Sequence, residues 1–471
     1  MYKKRLETPQ SLLAFQRISC YNSDRLCNNS TAILQQFIIY FDQRKRFVMF
    51  DLRFIRDNID TLRIALVNKR VELDLDAFID LDEQRRKNLT EVEQLKALRN
   101  TVSQEIASLK KQKLNADEKI AEMRKVGEQI KAIDEQVREL DQQLYDIQIR
   151  IPNIPHASTP VGRSEADNVE IKRWGTIPGF DFTPKPHWEL GEALDLIDFA
   201  GGAKVSGSFF VNFKGHGAKL TRALINFMLD FHIEKHGYTE MSPPFVVNRN
   251  AMFGTGQLPK MESDMYHAQE DDLFLIPTAE VPVTNLHAGD VLSGDDLPLY
   301  YTAYTPCFRR EAGAYGKDTK GLMRLHQFDK VEMVKFTLPE KSYEEHESLL
   351  QNAEDILQAL ELPYRVLNLC TADISFAAAK CYDIEVWAAG VDRFLEVSSC
   401  SNFEAFQARR ANIRFRRKSG DKLEYVHTLN ASGLALPRTI IAILENYQNV
   451  DGTVTVPHAL RHYMGGIDVL K

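Results

Sequence analysis

Residues Thr302 to Phe336 read TAYTPCFRREAGAYGKDTKGLMRLHQFDKVEMVKF. Both ends are rich in aromatic and β-branched residues (Tyr304 and Phe308; Phe328, Val331, Val334 and Phe336), and the centre is Gly, Lys, Asp and Thr. The pattern predicts two antiparallel strands joined by a long loop. Arg309 ends the first strand, while Asp329 and Glu332 sit along the second. Charge on strands meant for a sheet interior is costly unless a ligand or partner meets it. A surface hairpin with a solvated face explains the same residues, so the rest of the chain has to decide.

At 471 residues the chain has room for two or three domains with substantial cores. Its charged fraction of 27% and apolar fraction of 44% are those of an ordinary globular protein. No uninterrupted apolar run reaches the roughly 20 residues of a membrane-spanning helix, which excludes an integral membrane protein. A net charge of −7 gives no global sign of nucleic-acid binding, so any such contact must be local. The six cysteines, at positions 20, 27, 307, 370, 381 and 400, form no CxxC pair and suggest neither a disulfide framework nor a zinc site.

Residues 1–48 are basic, with a short apolar patch from Ile33 to Phe41. They fit a secretory signal poorly, because the apolar core does not follow the basic start, and a transit peptide poorly, because acids are present. One reading is an appended, loosely ordered segment ahead of a working start at Met49, which implies a cytoplasmic protein. A basic organellar presequence, which implies an organellar matrix, stays open.

From Asp51 a short helical module leads through Asp74 to Leu81 into two heptad-patterned segments. In the first, Leu95, Val102 and Leu109 keep seven-residue spacing; in the second, Ile120, Met123, Val126, Ile130, Ile133, Val137, Leu140, Leu144 and Ile147 step by threes and fours. Leu114 to Asp117 supplies a turn and an N-cap between them, and Ile151-Pro152-Asn153-Ile154-Pro155 stops the second helix. The result is an antiparallel helical hairpin on the order of 50 Å long, projecting into solvent. From Arg85 to Arg150 there are fourteen Lys or Arg against twelve Asp or Glu, a net +2, with basic clusters at Arg85-Arg86-Lys87 and Lys110-Lys111-Lys113. Such an arm can be a solvated or dimerising coiled coil, or it can clamp a phosphate backbone without reading bases.

Beyond the linker Ile151 to Pro160 the chain becomes mixed α and β. Gly217 to His236 predicts an amphipathic helix closed by Gly237, and Tyr238 to Val247 a strand interrupted by Pro243-Pro244. A helix from about Ser342 to Leu360, a strand from Phe394 to Ser399 and a last helix beginning within Gly433 to Arg438 follow. Neither GxxxxGK[ST] nor GxGxxG occurs, so the common phosphate-loop solutions are absent.

Gly237-Tyr238-x-x-Met241-x-x-Pro244, then Phe308-Arg309-x-Glu311, then Gly433-Leu434-Ala435-Leu436-Pro437-Arg438 resemble, in that order, the three motifs of class II aminoacyl-tRNA synthetases. With Thr278-Ala279-Glu280 and the helical hairpin, the chain from Met49 to Lys471 resembles the bacterial-type seryl-tRNA synthetase family. That resemblance implies an α+β fold: a mostly antiparallel sheet flanked by helices (154–471), preceded by a helical coiled-coil arm that binds tRNA (49–153). It further implies activation of L-serine with ATP and Mg2+, transfer to tRNA(Ser) and also to tRNA(Sec), and a homodimer built on the first motif. A plain core helix explains Leu220 to Phe231 equally well.

Carried over by position, Arg309 would hold the α-phosphate and Arg438 the far end of ATP, with Arg310 and Glu311 at the nucleotide and Phe328 under the adenine. Thr278, Ala279 and Glu280 would take the serine ammonium, and Glu332 and Ser432 its side chain. Glu396, Val397, Ser398 and Ser399 would form the nucleotide strand, with Glu396 and Ser399 holding Mg2+. Arg310 stands where relatives often have a small residue, a mild departure, and although its position falls in the nucleotide motif its side chain is expected to face out of the site.

The chemistry suits these residue types. An amino-acid carboxyl has a pKa of about 3.5 and needs no general base, so the lack of an obvious catalytic His or Cys is expected. Adenylation needs in-line positioning and charge neutralisation, which strand-mounted arginines supply. Two alternatives stay open: a relative that loads a small amino acid on a non-tRNA acceptor, and a non-catalytic RNA-binding paralogue.

Overall fold

The computed structural model describes residues 50–311 and 320–471. The N-terminal segment 1–48 and the middle of the hairpin loop, with Gly313, Gly316 and Lys317, lie outside the described residues. Two short helices, α1 (Leu52–Asp57) and α2 (Ile59–Asn68), precede the arm, which consists of α3 (Leu75–Lys111) and α4 (Asp117–Gln148). At 37 residues and a 1.5 Å rise, α3 is about 55 Å long. It starts earlier than its heptads indicate, because the Asp74 carboxylate caps the N–H groups of Asp76 and Ala77 at 2.9 and 3.0 Å. α4 starts at Asp117, within the stretch read as its turn and cap, and Asn115 accepts from the Asp117 N–H at 2.8 Å.

The arm's seam is narrow. Val126, Ile130, Val137, Leu140 and Leu144 of α4 are buried, whereas Leu95, Val102 and Leu109 of α3 are only partly covered. Ion pairs such as Lys96–Asp134 (3.1 Å) and Lys119–Glu105 bridge the two helices. The root is different. Phe50, Ile55, Leu62, Phe78 and Leu144 share one apolar cluster with Leu367, Ile374, Ala378 and Phe406 of the following part of the chain. The Lys69 ammonium is lodged there, donating to the carbonyls of Ser375, Phe376 and Ala378 at 2.8, 3.1 and 2.6 Å. The stretch read as a linker is fixed too, since buried Asn153 donates to the carbonyls of Ala377 and Phe403.

The main sheet has eight strands: β1 (Val169–Trp174), β2 (Thr239–Glu240), β3 (Leu299–Phe308), β4 (Gln327–Thr337), β5 (Tyr364–Asn368), β6 (Lys380–Ala388), β7 (Arg393–Asn402) and β8 (His427–Ala435). Their spatial order is β1-β5-β6-β7-β8-β4-β3-β2. All neighbours are antiparallel except β2 and β3. The opening hairpin is thus β3 and β4 near one edge of the sheet. The predicted strand Tyr238 to Val247 is split by its prolines: two residues join this sheet as β2, and Val246–Asn248 pairs with Leu273–Leu275 elsewhere.

Helices α5 (His216–His236), α6 (Ser342–Ala359) and α7 (Leu436–Asn446) cover the sheet. Gly237 closes α5 in the left-handed region, with φ 72°. The last helix starts within its motif, at Leu436, because Gly433 to Ala435 finish β8. The pleat sorts the side chains. Val331 and Met333 of β4 and Leu429 and Ala431 of β8 enter the core shared with Leu220, Leu349 and Ile440, so Lys330, Glu332, Asn430 and Ser432 face the opposite way, into a cavity. A bulge at Gly433 keeps Glu332 opposite Ser432 while Val331 pairs with Leu434. A Cβ at Gly433 would lie 2.6 Å from His232 Nε2 of α5, so only glycine fits between the helix and the sheet.

Candidate active site

The cavity, about 360 Å³, opens on the sheet face away from those helices. Three strands and the first turn of α7 supply much of its charged wall. Phe328, Lys330 and Glu332 project from β4; Glu396, Val397 and Ser399 from β7; Ser432 from β8; and Arg438 from α7. Arg309 and Glu311, just past β3, and Thr278 and Glu280, at the start of the Glu280–Asn285 helix, also line it. Ala279, Arg310 and Ser398 lie outside the cavity. Ala279 is fully buried in packing around Val283. Ser398 turns its hydroxyl to the Ser432 carbonyl at 2.6 Å. Arg310 is exposed, its guanidinium 5.4 Å from the Tyr266 ring centre.

The floor concentrates charge without solvent. Glu332 is 1% exposed and Glu280 7%. Thr278 donates to Glu332 at 3.1 Å, and the Lys330 ammonium reaches both Thr278 (2.9 Å) and the Glu332 carboxylate. Gln407 donates to Glu280 and is itself oriented by the Thr428 hydroxyl. Burial, and then the Glu332 charge, push the Glu280 carboxyl up to about 7. Burial likewise raises Glu332, against the pull of Lys330. One ammonium thus serves two buried carboxylates, and the site has room and charge for a second cation.

The mouth is built of guanidinium groups. Arg309 makes no ion pair among the described residues; its Nε donates to the Pro277 carbonyl at 3.3 Å and its guanidinium lies 5.2 Å from the Phe328 ring centre. Arg438 is held by the Glu396 carbonyl at 2.7 Å, and Arg324 pairs with Glu311. This mouth suits a polyphosphate with a flat ring. Behind Glu396 the Asp383 carboxyl is pushed well above its usual range by burial and by the Glu396 charge, and it hydrogen-bonds Ser399. The Glu396 carboxylate and the Ser399 hydroxyl, which line the cavity, are hard oxygen donors, which fits Mg2+. Among the described residues no group of three or more His, Cys, Asp or Glu could hold a metal alone, so substrate oxygens would have to complete the shell.

Sequence reading missed Lys330, Asn430 and Gln257, all of which line the cavity. The strand period alone would have found Lys330, because 328, 330 and 332 share one face. Cys307 and Cys400 are fully buried as small packing residues beside the site.

Family models match in two places: residues 49–155 as the seryl-tRNA synthetase N-terminal domain and 260–447 as the tRNA synthetase class II core domain (G, H, P, S and T). The serine–tRNA ligase of Geotalea uraniireducens is 59% identical over 420 residues, covering 89% of this chain and 99% of that one. That of Listeria welshimeri is 58% identical over 424 residues, covering 90% and 99%. Seryl-tRNA synthetase from Pyrococcus horikoshii, solved with ATP, superposes with a TM-score of 0.84 at 41% identity, covering 89% and 99%. The cytoplasmic serine–tRNA ligase of Naegleria fowleri, solved with AMP, gives 0.80 at 28%, covering 88% and 96%. With both domains matched and nearly the full length of these relatives spanned, the chain belongs to the seryl-tRNA synthetase family of class II aminoacyl-tRNA synthetases.

Proposed function

We propose that this chain activates L-serine with ATP to seryl-adenylate and transfers the seryl group to tRNA(Ser), and to tRNA(Sec) where that acceptor exists. The observation that carries this reading is the pairing, in one cavity, of a buried acidic floor for an ammonium with a mouth of arginines for phosphates. Glu280 and Thr278 bind the serine ammonium, while Glu332 and Ser432 face its hydroxyl. A floor of buried polar groups rejects alanine by leaving them unpaired, worth about 10⁴- to 10⁵-fold where such a site is complete. Arg309, with Lys330 nearby, orients the serine carboxylate against the α-phosphorus, and Arg438 and Phe328 hold the far phosphates and the base.

A carboxylate oxygen attacks the α-phosphorus, the bond to the bridging oxygen breaks, and pyrophosphate leaves. A terminal ribose hydroxyl of tRNA then attacks the acyl carbon and AMP leaves. Glu396 and Ser399, backed by Asp383, would hold Mg2+ with ATP; bound there, the metal neutralises phosphate charge.

We assign tRNA binding to 49–153 and catalysis to 154–471. We also propose a homodimer. The apolar face of α5 is used in the chain's own core, so the support for an interface lies instead in exposed Pro244, Phe245 and Val246. No helix among the described residues is long and apolar enough to cross a membrane; we place the protein in the cytoplasm. The test is ATP–pyrophosphate exchange with each of the twenty amino acids, then charging of total tRNA. Serine should drive exchange and be transferred. No exchange with serine overturns the reading, and exchange without charging points to another acceptor.

A further inference from the structure

A buried histidine outside the cavity touches one of its walls. His187 opens the helix His187–Ala193 and is fully buried together with Glu445 of α7. Its Nδ1 lies 2.7 Å from Glu445 Oε1, which also accepts the His187 backbone N–H at 2.9 Å. The other carboxylate oxygen accepts the N–H groups of Gly390 and Val391 at 2.8 and 3.0 Å. Glu445 is therefore saturated with donors and can only take the Nδ1 proton of the imidazole, which leaves Nε2 as an acceptor. Nε2 receives the N–H of Leu322 at 3.0 Å.

Leu322 begins the stretch Leu322 to Leu325, all four residues of which line the cavity, and within it Arg324 pairs with Glu311. The fit is close: a Cβ on Gly321 (φ 70°) would lie 2.2 Å from Nε2, and the Lys320 ammonium rests 4.4 Å from the Trp188 ring centre. Three consecutive residues late in the hairpin loop thus dock on His187 and Trp188.

We propose that His187, held by Glu445 with its proton on Nδ1, is a positioning residue for the nucleotide wall: it fixes Leu322 to Leu325, and with them Arg324 and Glu311, for ATP. This rests on the reading of the cavity as an ATP site. The contrast that isolates it is His187→Gln against His187→Asn. The Gln amide oxygen reaches the place of Nε2 and can accept from Leu322; the shorter Asn ends near Nδ1 and cannot. Glu445→Gln, isosteric, keeps its oxygen on Gly390 and Val391 but turns its NH2 group on His187: the ring proton moves to Nε2 and opposes the Leu322 N–H, and the His187 backbone N–H loses its acceptor as well.

ATP affinity is read directly by titration calorimetry, and the KM values for ATP and serine by exchange. A buried N–H left without its acceptor should weaken ATP about tenfold in His187→Asn and Glu445→Gln, with the serine KM within about twofold of the parent and His187→Gln close to the parent. Equal ATP affinities in the Gln and Asn variants overturn the proposal, whether both are weakened, as loss of packing predicts, or neither is. If serine drives no exchange in the parent while the Gln–Asn contrast in ATP titration persists, the serine reading fails and the role of His187 stands.

Discussion

Lys96 meets Asp134 across the arm with both side chains about two-fifths exposed, whereas Lys330 meets Glu332 in the cavity with 7% and 1% exposed. The pairing is chemically the same, but the surroundings reverse its meaning. On the arm, water screens the pair and little depends on it. In the cavity, desolvation is large and attraction repays it only in part, so buried charge is retained where a ligand needs it. The arm spends its length on reach, with a seam too thin to bury much. The sheet spends its core on holding charges that would otherwise be expelled.

The largest expected effect strikes the cavity. Arg309→Ala should lower serine-dependent exchange by roughly 10²- to 10³-fold, the usual loss for a fixed donor to developing charge, while thermal unfolding stays close to the parent's. Near-normal exchange in that variant would remove Arg309 from the phosphate.

Glu280 sharpens the comparison through pH. Its folded-state pKa of about 7 lies above the unfolded value, so its contribution to stability is complete below about pH 4.5 and is lost as pH rises through 7. The shift corresponds to about 3 kcal/mol. Glu280→Gln should therefore unfold at a higher temperature than the parent at pH 8 without serine. The same variant should bind serine more weakly, and its serine KM should lose the improvement the parent shows as pH rises from 6 to 8. A variant less stable than the parent at pH 8 would contradict the assignment of an uncompensated carboxylate.

The smallest effect belongs to the arm: Lys96→Ala should change unfolding free energy by less than about 1 kcal/mol in a denaturant titration.

What was legible in the sequence follows the same divide. The arm is local, so its heptads, its turn and its proline stop could be read directly, and only the cap at Asp74 shifted an end. The hairpin β3–β4 was visible from its two ends. The cavity is non-local: Glu332 meets Ser432 only because of a bulge at Gly433, and no spacing along the chain encodes that register. Site residues became nameable through motif resemblance, which carried along Ala279, Arg310 and Ser398 although the pleat and the packing turn them elsewhere. Lys330 was missed because a lysine on a strand reads as surface. His187 was missed because its partners lie more than a hundred residues away in sequence.

The division of labour between arm and cavity is tested most directly by shortening the arm. Leu144 is buried at its root and Val92 about midway along α3, so residues 99–131 should be replaced by a short Gly-Ser turn that leaves both in place. Exchange and tRNA charging are then measured on the same preparation. Exchange within about twofold of the parent, with charging lost, is the predicted result; equal losses in both, or charging that survives, would contradict it.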